Sequence, residues 1–291
     1  MIVVPSTGAD YSTIFVSKLL VDAKFGITGN SINQCFPFYV YAEDGSNRRE
    51  NITDWALGEF RARYGELPSP PAPSPCAGEG SKMRGSSPSP AAVGKGWRDS
   101  DGVRADRDSD GVRELTKWDI FHYIYGLLHS PDYRSRYAAN LKRDLPRIPF
   151  VATADFWRFV QAGRRLAEIH IGYEHAAPYP LTHVENRNVK WSWRVEKMKL
   201  NKDKTALMYN EALTLDGIPA AAFGYRLGNR SALEWVIDQY QESVDKRSGI
   251  GSDPNNADDP QAIVRLVKQV IAVSVETVQI VAELPALVVV D

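Results

Sequence analysis

Apolar positions along this chain change period several times, and those changes outline its elements. Ile2-Val3-Val4 reads as a buried strand that begins with no lead-in, as though a natural upstream neighbour were missing. A second strand is expected around Thr13 to Val16. A third is expected over Cys35 to Tyr41 (CFPFYVY), where Pro37 argues for an edge position or a bulge. Helical spacing then takes over. Ala56, Leu57, Phe60 and Tyr64 predict a helix over Thr53 to Tyr64, ended by Gly65.

The tract from Leu67 to Arg113 differs in kind. It opens with proline-rich SPPAPSP and contains the imperfect repeat RDSDGVRAD/RDSDGVREL. Its apolar side chains are too few to offset the entropy of ordering, so a disordered insertion is expected. The DSDG elements resemble part of a calcium loop, but the bidentate glutamate and the flanking amphipathic helices are lacking.

Helical periodicity returns after the insertion. Thr116 and Asp119 mark a start, with Phe121, Ile124, Tyr125 and Leu128 on one face. Ser130-Pro131-Asp132 is a second start, opening a helix with Tyr133, Tyr137 and Leu141 at a spacing of four. A third helix, about Thr153 to His170, would bury Phe156, Phe159, Val160, Gly163, Leu166 and Ala167. Mid-helix Gly163 costs about 1 kcal/mol relative to alanine, which close packing would explain.

Beyond Tyr173 the pattern alternates. Trp191 to Lys199 reads as a strand, Lys202-Asp203-Lys204 as a turn, and Thr205 to Tyr209 as the return of a hairpin with a basic tip; Ala212 to Leu215 adds a strand. Ser231 and Glu234 form a capping box for a helix to about Glu242, with Leu233, Val236, Ile237 and Tyr240 inward. The last helix starts at Asp259-Pro260 and runs to about Glu283. The expected fold is α+β: mixed sheet segments, a central helical group and closing C-terminal helices. Its expected organisation is a β-rich part (1–66), the insertion (67–113) and a helical and β-hairpin remainder of the same domain (114–291).

Charge refines this picture. The 35 basic and 36 acidic side chains nearly cancel, so any nucleic-acid surface must come from local segregation. Arg187 to Lys204 and Arg134 to Arg147 are strongly basic, whereas Glu234 to Asp259 is mostly acidic. Both basic runs also fit ordinary solvated faces. The two cysteines, Cys35 and Cys76, make no disulfide framework, and no leader or membrane span is visible, so a cytoplasmic protein is expected.

Motifs for covalent chemistry are missing. Gly94-Lys95-Gly96 lacks the spacing of a phosphate-binding loop, no Gly-x-Gly-x-x-Gly follows a strand, and no Asn/Asp-Pro-Pro-aromatic methyltransferase motif occurs. Asp22-Ala23-Lys24 is an isolated nuclease-like tripeptide. His170 and His175 do not share a helix face at zinc spacing. No catalytic residue, metal or cofactor is expected.

The segment NRNVKWSWRVEKMKLNKDK offers cations for phosphates and planar or forked side chains for base edges. As a strand it would present Trp191, Trp193, Val195, Lys197 and Lys199 on one face, and Lys190, Arg194 and Met198 on the other. Core tryptophans with solubilising lysines account for the stretch equally well.

Several ordered stretches resemble one family, the C-terminal specificity domain of Type ISP restriction-modification enzymes. They include Gln34 to Tyr39, Asn51 to Ala56, Asp119 to Tyr133 (DIFHYIYGLLHSPDY), Leu145 to Phe150 (LPRIPF), Ser231 to Val236, Asp245 to Ile250 with Asp253-Pro-Asn255, and Val273 to Thr277. The similarity covers about Ile2 to Glu66 and Glu114 to Leu287. It implies target recognition on duplex DNA, with a nuclease, a helicase-like translocase and an adenine methyltransferase carried elsewhere. The insertion departs from the family pattern.

Members of the family read different sequences, so its base-contacting residues do not transfer. The candidates here are Arg143, Arg147, Lys190, Lys197 and Lys199 for phosphates, and Asn188, Arg194 and Asn255 for base edges. Gln34, Tyr125 and Trp235 are expected to be architectural. The expected partners are duplex DNA and a methyltransferase, helicase or nuclease polypeptide, with no membrane. The alternative is an assembly subunit of a methyltransferase/helicase complex, or a truncated remnant of such an enzyme.

Overall fold

The computed structural model describes residues 1–5, 14–17, 33–65, 114–244 and 246–290. The expected insertion at 67–113, with its DSDG repeat and Cys76, lies outside the described residues, as do Thr13 and the Asp22 to Lys24 tripeptide. The described chain forms two units, one of residues 52–120 and one combining 1–51 with 121–291.

In the smaller unit, helix α1 (Asp54–Tyr64) starts where Thr53 accepts a hydrogen bond from the Ala56 N–H at 3.2 Å. Asp54, in its first turn, pairs with Lys117 at 2.6 Å. Arg61 reaches the Leu115 carbonyl and the Glu114 carboxylate, at 3.0 and 2.8 Å. Asp119 accepts from the Thr116 N–H and hydroxyl, and its own N–H returns to the Thr116 hydroxyl. This reciprocal cap opens helix α2 (Lys117–His129).

In the larger unit, strand β1 (Ile2–Pro5) lies between β2 (Phe15–Val16) and β3 (Asn33–Phe36), both antiparallel to it. Its Ile2, Val3 and Val4 are buried. The expected single strand Cys35 to Tyr41 is broken. Pro37 follows β3, and the chain re-enters as β4 (Tyr39–Val40), paired with β5 (Arg49–Glu50). Proline has no N–H for a ladder, which makes it the natural break point.

Helix α2 departs from the single buried face expected. Tyr123 and Leu127 are buried along with Phe121, Tyr125 and Leu128, whereas Ile124 is only half-buried. A helix apolar on most sides is a core helix, and its phase no longer distinguishes inside from outside. The next helix starts at Ser130-Pro131 as expected, but breaks at Tyr137 into α3 (Pro131–Arg136) and α4 (Ala138–Leu141). Helix α5 (Thr153–Ile171) buries all six expected positions, with Trp157, Ile169 and His170 besides.

Gly163 has the close-packing role its position demands. A Cβ there would overlap the His122 carbonyl oxygen and lie 2.7 Å from the Gly126 nitrogen. A Cβ on Gly126 would in turn overlap the Phe159 carbonyl and lie 3.1 Å from the Gly163 nitrogen. Helices α2 and α5 therefore cross backbone to backbone.

Strands β6 (Thr182–Glu185), β7 (Lys199–Leu200), β8 (Ala206–Met208) and β9 (Leu213–Asp216) form an antiparallel sheet in the order β6-β9-β8-β7. Strand β6 has no counterpart in the sequence reading. The short ribbon β10 (Arg226–Leu227) with β11 (Arg230–Ser231) leads into helix α6 (Ala232–Gln239), whose capping box is present as expected. The helix stops short of Glu242, whose N–H instead donates to the Glu196 carbonyl at 2.9 Å. A hairpin of β12 (Ser243–Val244) and β13 (Gly251–Ser252) precedes helix α7 (Ala262–Ala282). Leu207, Leu213 and Leu215 of the sheet share one buried cluster with Leu233 of α6 and Ile263, Val264 and Val267 of α7.

A polar core joins α2, α5 and α7. The Thr277 hydroxyl donates to the Val273 carbonyl, so it accepts from His170 Nε2–H at 2.9 Å. His170 Nδ1 then accepts from the Tyr125 hydroxyl at 2.7 Å. His129 Nδ1–H donates to the Tyr125 carbonyl at 2.8 Å. Burial holds both histidines neutral: it drives His170 down to about 3 and His129 well below its ordinary 6.5.

Two predictions follow from this packing. Gly163→Ala forces the crossing apart and costs at least about 1–3 kcal/mol of unfolding free energy. Gly58→Ala, in α1 with nothing within 4 Å of its added Cβ, gains up to about 1 kcal/mol; denaturant melts compare the two. The histidines set a pH dependence. Their folded pKa values lie below the unfolded value, so their stabilisation is present in full above 6.5 and lost as pH falls towards the folded values. Each contributes a slope of about 1.4 kcal/mol per pH unit. A denaturant midpoint that stays flat down to about pH 5 would contradict this.

Candidate nucleic-acid interface

The expected strand from Trp191 to Lys199 is not one; only Lys199 and Leu200 enter the sheet. Val195 and Met198, assigned to opposite faces by alternation, are both buried, at 0% and 3% exposure. The segment between β6 and β7 is instead an extended strap fixed at its main chain. Its carbonyls are met in series. Asn210 Nδ2 donates to the Ser192 and Arg194 carbonyls, each at 2.8 Å, and the Tyr209 hydroxyl donates to Trp193 at 3.0 Å. Asn255 Nδ2 donates to the Val195 carbonyl, and its Oδ1 accepts from the Val195 N–H, both at 2.8 Å. Backbone groups satisfied this way have no ladder to join.

The turn before the strap is built in the same manner. Asn186 Oδ1 accepts from the Asn188 N–H at 3.1 Å, and Asn186 Nδ2 donates to the Glu211 carbonyl at 3.2 Å. Arg187 and Asn188 are exposed on that turn. Trp193 is half-buried against the cluster beneath, and Trp191, 41% exposed, meets it edge to face at 5.0 Å. Lys190, Lys197 and Lys199 are exposed and have no ion-pair partner among the described residues.

Two of the candidate base readers are engaged within the protein. Arg194 pairs with Glu242 at 2.6 Å and Asp253 at 2.8 Å. Asn255 spends its carbonyl oxygen on the strap and its amide N–H groups on Val195 and Asp253. The Asp253 carboxyl is held below the usual range, first by the Asn255 N–H, then by the Asn255 amide, then by Arg194. Lys204, at the hairpin tip, is likewise occupied by Glu234 at 2.8 Å and lies over the Phe223 ring.

Arg143 and Arg147 sit apart from the strap in sequence, between α4 and α5, and both are exposed. Their segment is pinned from below, where the Tyr133 hydroxyl donates to the Arg147 carbonyl at 2.7 Å and the Tyr123 hydroxyl to Pro149 at 2.6 Å. Tyr125 and Trp235 are architectural as expected: Tyr125 is fully buried, and the Trp235 indole donates to the Leu227 carbonyl. Gln34 is in β3, opposite Val4. Sequence reading missed Asn210 and Tyr209. Asn210 also accepts from the Ala212 and Leu213 N–H groups, so an asparagine at the β8–β9 turn was the one available signal.

Among the described residues no group of three or more histidine, cysteine or acidic side chains could hold a metal, and no helix is long and apolar enough to cross a membrane.

The Asp253 cluster yields a direct test. Arg194→Met and Asn255→Ala should each raise the Asp253 pKa towards 3.8, and neither should restore it fully, because the Asn255 N–H remains. A carboxyl NMR titration reads the shift; no movement in either variant would show that these contacts do not form in solution.

The Type ISP C-terminal specificity domain model matches residues 1–266. No curated protein matches the chain. Among solved structures, a cryo-EM DrdV–DNA complex is 32% identical, covering 98% of this chain and 24% of that one at a TM-score of 0.70. The ATP-dependent Type ISP restriction-modification enzyme LlaBIII, bound to DNA, is 26% identical, covering 98% of this chain and 16% of that one at 0.68. A nuclease-deletion mutant of the Type ISP enzyme LlaGI, in complex with a DNA substrate mimic, is 38% identical over 64% of this chain and 18% of that one, at 0.55. The chain thus spans less than a quarter of the length of each of these proteins.

Proposed function

The chain belongs to the Type ISP C-terminal specificity domain family, and from that premise we propose that it reads duplex DNA sequence for methyltransferase, translocase and nuclease activities residing outside it. It performs no covalent chemistry itself and works in the cytoplasm. The observation that carries this reading is the strap: a pre-ordered segment with unpaired cations and an exposed tryptophan, in a protein whose solved relatives are bound to DNA.

The roles divide by what each side chain is free to do. Lys190, Lys197 and Lys199 contact phosphates, as do Arg143 and Arg147 on their own segment. Asn188, exposed on the turn ahead of the strap, contacts a base edge. Arg194 and Asn255 act one step back: their polar groups hold Asp253 and Val195, and through them the reading segment. The whole is completed by a methyltransferase, helicase or nuclease polypeptide.

A second reading, an assembly subunit with little DNA affinity of its own, draws on the β12–β13 hairpin. Val244 and Ile250 there are 68% and 69% exposed, as suits a protein partner.

Salt dependence separates the two. Each phosphate contact releases counterions, so neutralising Lys197 and Lys199 together to glutamine should lower the slope of log affinity against log salt by about 2. Reversing both to glutamate should abolish binding without unfolding the protein. Wild-type binding that is flat with salt favours the assembly reading; wild-type slope retained in the glutamine pair removes the strap from the phosphate contacts.

A further inference from the structure

The hydrogen bonds that fix the strap reach almost solely to its main chain. Five consecutive carbonyls, Ser192 to Glu196, accept from fixed elements outside the segment: Asn210 twice, Tyr209, Asn255 and the Glu242 N–H. None of these contacts depends on which side chains occupy Ser192 or Arg194. Side-chain anchorage comes from Val195 and Met198, both buried, from half-buried Trp193, from the Ser192 hydroxyl, which accepts from the Arg194 N–H at 3.0 Å, and from Arg194, which pairs with Glu242 and Asp253. Trp191, Ser192 and Arg194 face outwards, and Asn188 lies on the turn that precedes them.

From this arrangement we infer that residues 188–194 are an exchangeable specificity element: Asn210 holds its Ser192 and Arg194 carbonyls and Asn255 holds the adjoining Val195 irrespective of the element's sequence, and the outward side chains of Asn188, Trp191 and Ser192 set which base pairs are chosen. The inference rests on the DNA-reading function proposed above. The physical argument is about pre-ordering. A base edge is discriminated by a bidentate contact only if the side chain arrives in register, and a loose loop would forfeit that discrimination to the entropy of ordering. Clamps on the carbonyls supply order without constraining identity. A β-ladder would supply order too, but alternation would commit every second side chain to the sheet interior. Asn210 is accordingly a positioning residue, since it touches the strap's backbone and the β8–β9 turn at once.

The test uses the full chain and a duplex library with a randomised central stretch, sequenced after selection at fixed salt. Asn188→Ser, Ser192→Thr (which keeps the hydroxyl accepting from the Arg194 N–H) and Trp191→Phe should each shift the selected sequence while thermal stability and salt slope stay at wild-type values. Asn210→Ala should leave the salt slope in place and cut the ratio of selected to random-duplex affinity by about tenfold or more. Asn210→Asp keeps the acceptor for Ala212 and Leu213 but loses both donors to the strap, so it should lose the same ratio even if the turn is preserved. If the wild type selects a sequence and all three strap variants select that same sequence, the inference fails and the DNA-reading function stands. If the wild type shows no salt-dependent binding, that function fails and takes the inference with it.

Discussion

The crossing of α2 and α5 at Gly126 and Gly163 is the constraint from which the larger unit is assembled. Each glycine faces the other helix's backbone, and neither has room for a Cβ. The α5 helix, so placed, receives α7 through Arg165 with Glu276 at 2.6 Å and through His170 with Thr277. The α7 helix in turn shares its buried Ile263, Val264 and Val267 with the sheet. The β8–β9 turn of that sheet carries Asn210, which holds the strap. Order passes from a backbone contact in the helical core to the strap on the surface through packed elements at each step.

Several polar groups inside this assembly are matched by direction, though His129 Nε2 is buried with no partner among the described residues. The Thr277 hydroxyl gives its proton to its own helix and so can only accept from His170, which fixes the imidazole's tautomer and leaves Nδ1 for Tyr125. Tyr123 and Tyr133 keep their rings in the core and send their hydroxyls to the carbonyls of Pro149 and Arg147. The Arg147 backbone is thereby held while its side chain stays exposed. Asn210 and Asn255 repeat that arrangement beneath the strap.

Legibility in the sequence followed the range of the interaction. Local hydrogen bonds were readable from residue type: Thr116 with Asp119, Ser130 with Pro131, and Ser231 with Glu234 all open helices where their order predicted. Gly163 was readable because its helix cost required a packing reason. The strap was not, because its alternation of Trp191, Trp193 and Val195 imitates a strand, while what overrides the ladder lies elsewhere in the chain, up to sixty residues away at Asn255. The same distance hid the ion pairs of Arg194. Residue types suited to DNA were visible; which of them were already spoken for was not.

This difference bears on the exchange of specificity inferred above. If strap geometry came from its own side chains, every change of specificity would also be a change of fold, and most substitutions destabilise. Here the bonds to the strap's five carbonyls do not involve its outward side chains. Two outward side chains still contribute: Ser192, whose hydroxyl accepts from the Arg194 N–H, and Arg194, whose pairs with Glu242 and Asp253 tie the strap to the β12–β13 hairpin. An exposed ion pair contributes little to stability, so even this tie restricts register more than it restricts identity. Hydrogen bonds to carbonyls hold a segment without fixing its side chains, and the five in series from Ser192 to Glu196 hold this one where a ladder would have closed half of it off.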